Sequence, residues 1–181
     1  MHMVASNTWT ADMVRELPDD GNRYETVHGA LLVSPGPRAL HERIQRRLCT
    51  AIDVYLGREP VGEVFVSRAE LSWGPDILVQ PDLVVIAIDE ANTLDWSRMQ
   101  HALLVVEILS ESSRKADRVA KRMLYQSVGV PTYWIVDADA GVVEVWTPRA
   151  TAMVVEDATL RWHPDGARTA LEIPLGQLFA R

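Results

Sequence analysis

Cysteine occurs once in this chain, as Cys49, and lysine only twice, as Lys115 and Lys121. One cysteine excludes an internal disulfide framework and fits a reducing compartment. Together with the lack of any HxxxH or HExxH spacing among His2, His28, His41, His101 and His163, it also excludes a zinc finger. Cys49 falls among Ile44, Leu48, Ala51 and Ile52 at helical spacing, so a buried core thiol is expected. There is no run of about 18 apolar residues, the length needed to cross a membrane. The N-terminus lacks the charged and apolar regions of a signal peptide, so a soluble, cytoplasmic protein with no membrane partner is expected. A positive surplus is missing too: Lys and Arg number 18 against 25 Asp and Glu, a net charge of −7. That excludes a broad basic surface holding nucleic acid non-specifically, although a local groove of arginines could still do so.

What is present is enough apolar residue, 48% of 181, to build a substantial core, and the expectation is a single domain over residues 1–181. Periodicity and punctuation set the elements. A short helix over 10–17 is capped by Thr10. Strands over 23–28 and 30–34 form a hairpin at His28-Gly29. A helix over 37–56 carries Leu40, Ile44, Leu48, Ala51, Ile52 and Tyr55 on one face. Strands follow at 61–66, 81–88 and 103–109, apolar enough to be buried on both faces. A second long helix over 112–129 has Ser113 as its cap, and Gly129 and Pro131 beyond its end. Strands at 132–136 and 142–146 and a strand-rich tail over 151–178 complete the order. Gly74-Pro75 marks a turn that leaves Asp76 in an exposed loop.

Two of the apolar strands contain carboxylates. Asp82 heads Pro81-Asp82-Leu83-Val84-Val85-Ile86, and Glu107 interrupts Leu103-Leu104-Val105-Val106-Glu107-Ile108-Leu109. A carboxylate buried in a strand is costly unless paired, hydrogen-bonded or bound to a cation. If the two lie on adjacent strands and point the same way, they can share Mg²⁺ or Mn²⁺ with one backbone carbonyl and water. Such an ion suits phosphodiester hydrolysis. Lys121 adds a compact positive charge that arginine does not replace. On an ideal helix Val119, Ala120, Met123 and Leu124 form the buried face, and Asp117, Lys121 and Tyr125 a stripe beside it. Lys121 is then expected at the border, its stem packed and its ammonium reaching the carboxylates, so that Lys121→Met preserves folding. Asp117 and Lys121 can also form an ordinary i,i+4 ion pair.

These segments resemble a known family. Gln80-Pro81-Asp82-Leu83-Val84-Val85, Val106-Glu107-Ile108-Leu109-Ser110, Asp117-x3-Lys121-x3-Tyr125 and Gly129-Val130-Pro131-Thr132-Tyr133-Trp134-Ile135-Val136-Asp137 together look like the Uma-two family of restriction endonuclease-like proteins. Arg23-Tyr24-Glu25, His28-Gly29, Ser34-Pro35 and His41 match its N-terminal pattern, and the resemblance runs from Thr10 to Trp146.

The resemblance implies the PD-(D/E)XK nuclease fold, an α/β (α+β) restriction endonuclease-like core. Its mixed β-sheet is flanked by helices, here with an added N-terminal hairpin and C-terminal strands. It implies Asp82 and Glu107 as the acidic pair, with the Ile108 carbonyl as a third metal ligand. It also implies Glu25, His41, Asp117 and Tyr125 as candidate supporting residues, nucleic acid, with DNA expected, as partner, and a homodimer. One departure stands out: Leu109 occupies the lysine position of the superfamily's E-x-K pattern, and in this family a helix lysine, here Lys121, takes that place. The leading expectation is a metal-dependent DNA endonuclease. The alternative is a catalytically inactive nucleic-acid or protein binding module on the same fold. A two-carboxylate glycosidase gives Lys121 no role.

Overall fold

A computed structural model describes residues 8–66, 68–111 and 113–180. His2, and Ser112 at the expected start of the second long helix, lie outside the described residues. Helix α1 (Ala11–Arg15) opens with the Thr10 hydroxyl accepting from the Met13 N–H, an ordinary N-cap. Strands β1 (Arg23–Val27) and β2 (Ala30–Ser34) pair antiparallel through His28 and Gly29, both at positive φ. This is the left-handed geometry that two-residue hairpin turns require.

Helix α2 (Ala39–Leu56) buries Ile44, Leu48, Ile52, Tyr55 and Leu56. Leu40 is an exception to the expected stripe, half exposed at the helix start. Cys49 is partly buried at the margin of the core rather than fully within it.

The main sheet has six strands in the order β10 (Val154–Glu156), β9 (Val142–Trp146), β8 (Tyr133–Asp137), β7 (Ala102–Ile108), β6 (Leu83–Ala87) and β3 (Gly62–Val66). All neighbours pair antiparallel except β7 and β8. A parallel pair needs a crossover, and the chain supplies a helical one. A second sheet has the order β2-β1-β5-β4, with β4 (Leu71–Gly74) and β5 (Ile77–Val79). Asp76 sits in the turn between β4 and β5, half-buried, its carbonyl accepting from the Gly29 N–H. The structure thus replaces the expected exposed loop with a hairpin docked on β1.

The core divides across the main sheet. On one face α2, the hairpin β11 (Thr159–Trp162) with β12 (Leu171–Pro174), and α5 (Leu175–Leu178) pack on Leu83, Val85, Leu104, Val106 and Trp134. On the other, the crossover helix and residues of β1, β4 and β5 pack on Val84, Ile86, Val105, Tyr133 and Ile135. The tail therefore both extends the main sheet, through β10, and builds a separate hairpin.

The crossover helix departs most from expectation. Beyond the short α3 (Ile88–Ala91), residues Ala116–Lys121 form a π-helical stretch, followed by α4 (Arg122–Ser127). Its buried side chains are Asp117, Lys121, Leu124 and Tyr125, whereas Val119 is 48% and Met123 58% exposed. Val119 and Met123 of the expected apolar face have exchanged places with the polar stripe, whereas Leu124 stays buried and Ala120 packs half-buried against the core. A π turn re-phases a helix and is frequent at functional sites. The polar stripe is buried because its charges find partners on the sheet.

Candidate active site

Strand pairing brings the two carboxylates together. Leu83 stands opposite Val106 across β6 and β7, so the preceding Asp82 falls beside Glu107. Alternation along the two strands sends both side chains to the face covered by the crossover helix. Asp82 is nearly fully buried and fully hydrogen-bonded. Its Oδ1 accepts from Arg23 Nη1 at 2.7 Å. Its Oδ2 accepts from the Ile108 N–H at 2.7 Å and lies 3.0 Å from His41 Nε2, which donates because an ionised carboxylate only accepts. Gln45 Nε2 donates to the Asp82 carbonyl at 2.7 Å, anchoring this backbone to α2.

Lys121 is the centre of a second layer beneath. Its Nζ lies 2.8 Å from Glu25 Oε2, 2.9 Å from Glu107 Oε1 and 3.5 Å from Asp117 Oδ1. Tyr125 donates to the same Glu107 oxygen at 3.2 Å, and the Gln80 N–H donates to Glu25 Oε1 at 2.7 Å. Tyr133 donates to the backbone carbonyl of Asp117 at 3.1 Å. Arg114 and Arg118 lock this helix to the sheet through the Asp137 carboxylate, at 2.8 and 2.9 Å.

The electrostatics separate the carboxylates. Burial pushes Asp82 up, but the hydrogen bond from His41 and the Arg23 guanidinium together hold it well below its ordinary value. Burial pushes Glu107 well above its ordinary value despite Lys121, with Asp117, Asp82 and Glu25 adding like charge. Asp117 is raised, chiefly by burial. Burial works against the Lys121 ammonium, yet Glu107, Glu25 and Asp117 outweigh it and raise its pKa. Four buried carboxylates thus share two permanent cations, Arg23 and Lys121, and Glu107 Oε2 is left without a hydrogen-bond partner.

The comparisons with known proteins bear on this site. The model of the Uma2 family, described as "Putative restriction endonuclease", matches residues 11–176. The chain belongs to the Uma2 family. A crystal structure of a "putative nuclease" from Anabaena variabilis shares the fold, with a TM-score of 0.75 at 23% identity, over 95% of this chain and 98% of that one. No curated protein matches. The chain therefore shares the mixed α+β fold of that structure, and its membership of a family described as "Putative restriction endonuclease" supports a nuclease.

Within this Uma2 chain the sequence-derived residues fall as follows. Asp82, Glu107, Lys121, Glu25, Asp117, Tyr125 and His41 lie in one cluster with the Ile108 backbone. His41 is turned inward to Asp82, not outward on the surface of α2. Lys121 sits wholly inside the cluster instead of at a border. Trp134 is a core side chain.

The residue that sequence reasoning undervalued is Arg23. Besides Asp82, its guanidinium lies 3.8 Å from Glu25 Oε2 and 4.0 Å from Glu107 Oε2. The available signal was its spacing: two residues before Glu25 on β1, it shares that strand's face. Gln45 was also missed, because a glutamine on an otherwise apolar helix face gives no sign of its partner.

A cleft of about 840 Å³ opens above the cluster, and Arg15, Arg38 and Arg68 are among its lining residues. Of the cluster, Arg23, His41, Asp82 and Ile108 reach the cleft. Glu107 and Lys121 lie below them, each with 1% or less of its surface exposed. Among the described residues, no group of three or more His, Cys, Asp or Glu side chains stands arranged to hold a metal. The donor chemistry nevertheless fits a hard divalent ion. The carboxylates outnumber their cations, and the orphaned Glu107 oxygen is the kind of buried group that needs one.

Proposed function

We propose that this Uma2 protein is a metal-dependent endonuclease that hydrolyses phosphodiester bonds in DNA. The observation that carries this reading is the pairing of Asp82 with Glu107 on adjacent strands, Asp82 lining a cleft that Arg15, Arg38 and Arg68 also line and Glu107 buried just beneath it. Asp82, Glu107 and the Ile108 carbonyl are the groups that would hold Mg²⁺ or Mn²⁺. When bound, such an ion polarises the scissile phosphate and lowers the pKa of water.

The chain's own residues do the rest. Arg15, Arg38 and Arg68 neutralise backbone phosphates along the cleft, sequence-independent binding that positions the strand. His41 and the Ile108 N–H orient the Asp82 carboxylate. Lys121 and Tyr125 fix Glu107, and Glu25 and Asp117 fix Lys121. Lys121 is thus a positioning residue in this arrangement, acting through the Glu107 carboxylate it holds.

The protein works in the cytoplasm in this reading, as its single cysteine suits; no helix among the described residues is long and apolar enough to cross a membrane. We also propose a homodimer formed along β10. That edge strand carries Val154 and Val155 at 59% and 47% exposure, and an uncovered apolar edge invites pairing. A monomeric mass by light scattering at micromolar concentration would remove the dimer.

The test of activity is incubation of purified protein with supercoiled plasmid. Nicked or linear products are expected with Mg²⁺ or Mn²⁺, and none with chelator or with Asp82→Ala. Intact plasmid under every metal condition would overturn the reading. It would favour a binding module with a silent site, which one observation supports: Arg23 and Lys121 already pair with the carboxylates.

A further inference from the structure

Arg23 stands between the two carboxylates that would hold a metal. Its guanidinium donates to Asp82 Oδ1 at 2.7 Å and to the Gln80 carbonyl at 3.0 Å, and it faces Glu25 Oε2 and Glu107 Oε2 at 3.8 and 4.0 Å. The Glu107 oxygen it faces is the buried one with no hydrogen-bond partner. Arg23 lines the cleft, whereas Glu107 and Lys121 do not, so the guanidinium covers the lower layer from solvent. An ion arriving through the cleft meets Arg23 before it meets Glu107.

Arginine cannot leave such a place by losing its proton, because it stays charged at any working pH. The only way to free the Asp82 oxygen is to move the guanidinium away. Its long stem permits that, and the route leads into the cleft, where a planar fork matches a phosphate in two hydrogen bonds.

We propose that Arg23 is a resident cation that holds the acidic site together without metal, competes with the divalent ion for Asp82 and Glu107, and on displacement turns into the cleft to bind a substrate phosphate. This rests on the metal reading above. It makes metal entry and phosphate binding one coupled event, so that each favours the other, as linkage requires.

The test is calorimetric titration of the full chain with Mn²⁺, comparing wild type with Arg23→Gln. Removing the competing cation should tighten Mn²⁺ binding by about tenfold, within the usual range of coupling between two sites. In parallel, the Arg23 Nε–H resonance of the wild-type protein is followed by NMR during Mg²⁺ titration. It should shift and lose its protection from solvent exchange with the same saturation curve as binding. Equal or weaker Mn²⁺ affinity in a folded Arg23→Gln protein, or an Arg23 signal that stays put while metal binds, overturns the proposal and leaves the metal site standing. No binding by either protein removes both. If Arg23→Gln does not fold, the wild-type resonance decides alone.

Discussion

Replacing Lys121 with methionine tests how the site is held together. The stem still fits, so no cavity opens, but the ammonium that faces Glu25, Glu107 and Asp117 within 3.5 Å is gone. All four groups are 1% exposed or less, so water cannot take over. Breaking a buried pair by removing one partner costs about 3–5 kcal/mol, since it strands the other charge. Here three carboxylates lose their nearest cation, with only Arg23 left facing Glu25 and Glu107, which places the expected loss toward the upper end. For a chain of this size each kcal/mol moves the midpoint by about 2–4 °C, so the melting temperature should fall by roughly 6–20 °C.

The pH dependence has a definite sign. The folded-state pKa of Lys121 is raised, so its contribution is fully present below the ordinary lysine value near 10.4 and is lost only as pH rises through the folded value. The loss in the variant is thus complete at pH 7. Burial raises the pKa of Glu107 and of Asp117, so these two can take up protons as pH falls and the gap to wild type should narrow between pH 7 and 5. Urea unfolding followed by circular dichroism at both values measures it. A loss below about 1 kcal/mol at pH 7 would falsify the view that Lys121 neutralises the buried acids.

Three further outcomes follow from neighbouring contacts. Glu107→Gln removes a charge whose pKa burial has raised, so without metal the variant should melt within a few degrees of wild type or above it, while Mn²⁺ no longer raises its midpoint; a Mn²⁺ shift equal to that of wild type in differential scanning fluorimetry would contradict this. Burial works against Asp137, but the Ala140 N–H, Arg118 and Arg114 lower its pKa, so its contribution is present above about pH 3.9 and lost as pH falls through the folded value. Asp137→Asn should therefore cost about 1–2 kcal/mol at pH 7, discounting for the half-exposed arginines, and an urea midpoint that does not move would refute the lock. At Gly62 an added Cβ would lie 2.6 Å from the Ile86 carbonyl oxygen and 2.9 Å from Val85 Cγ1, so Gly62→Ala should destabilise the β3–β6 edge by about 1–3 kcal/mol; an unchanged thermal midpoint would count against that packing.

Much of the fold was legible because apolar periodicity and turn residues agree along the chain. Thr10 marks where α1 begins, His28-Gly29 where the first hairpin turns, and Gly57 and Gly129 where α2 and the crossover helix end. What stayed hidden has a common physical cause. A hydrophobic pattern shows which residues avoid water, not which charges satisfy one another, so Val119 and Met123 looked buried and Asp117 and Lys121 did not. The reverse holds because Glu25 and Glu107, distant in sequence, supply the counter-charges. Strands β4 and β5 were missed because they span only 4 and 3 residues around Gly74-Pro75-Asp76, too short for alternation to register. Asp82 and Glu107 were recognisable as costly charges in apolar strands, but their adjacency depends on the β6–β7 register and became visible only with it.

A divalent metal held by both Asp82 and Glu107 is what the proposed chemistry requires. Crystals soaked in Mn²⁺ and measured at the manganese absorption edge test it most directly. One strong anomalous peak is expected in bonding contact with carboxylate oxygens of both Asp82 and Glu107, absent from Asp82→Ala crystals. No peak there, or the same peak in the variant, would contradict it.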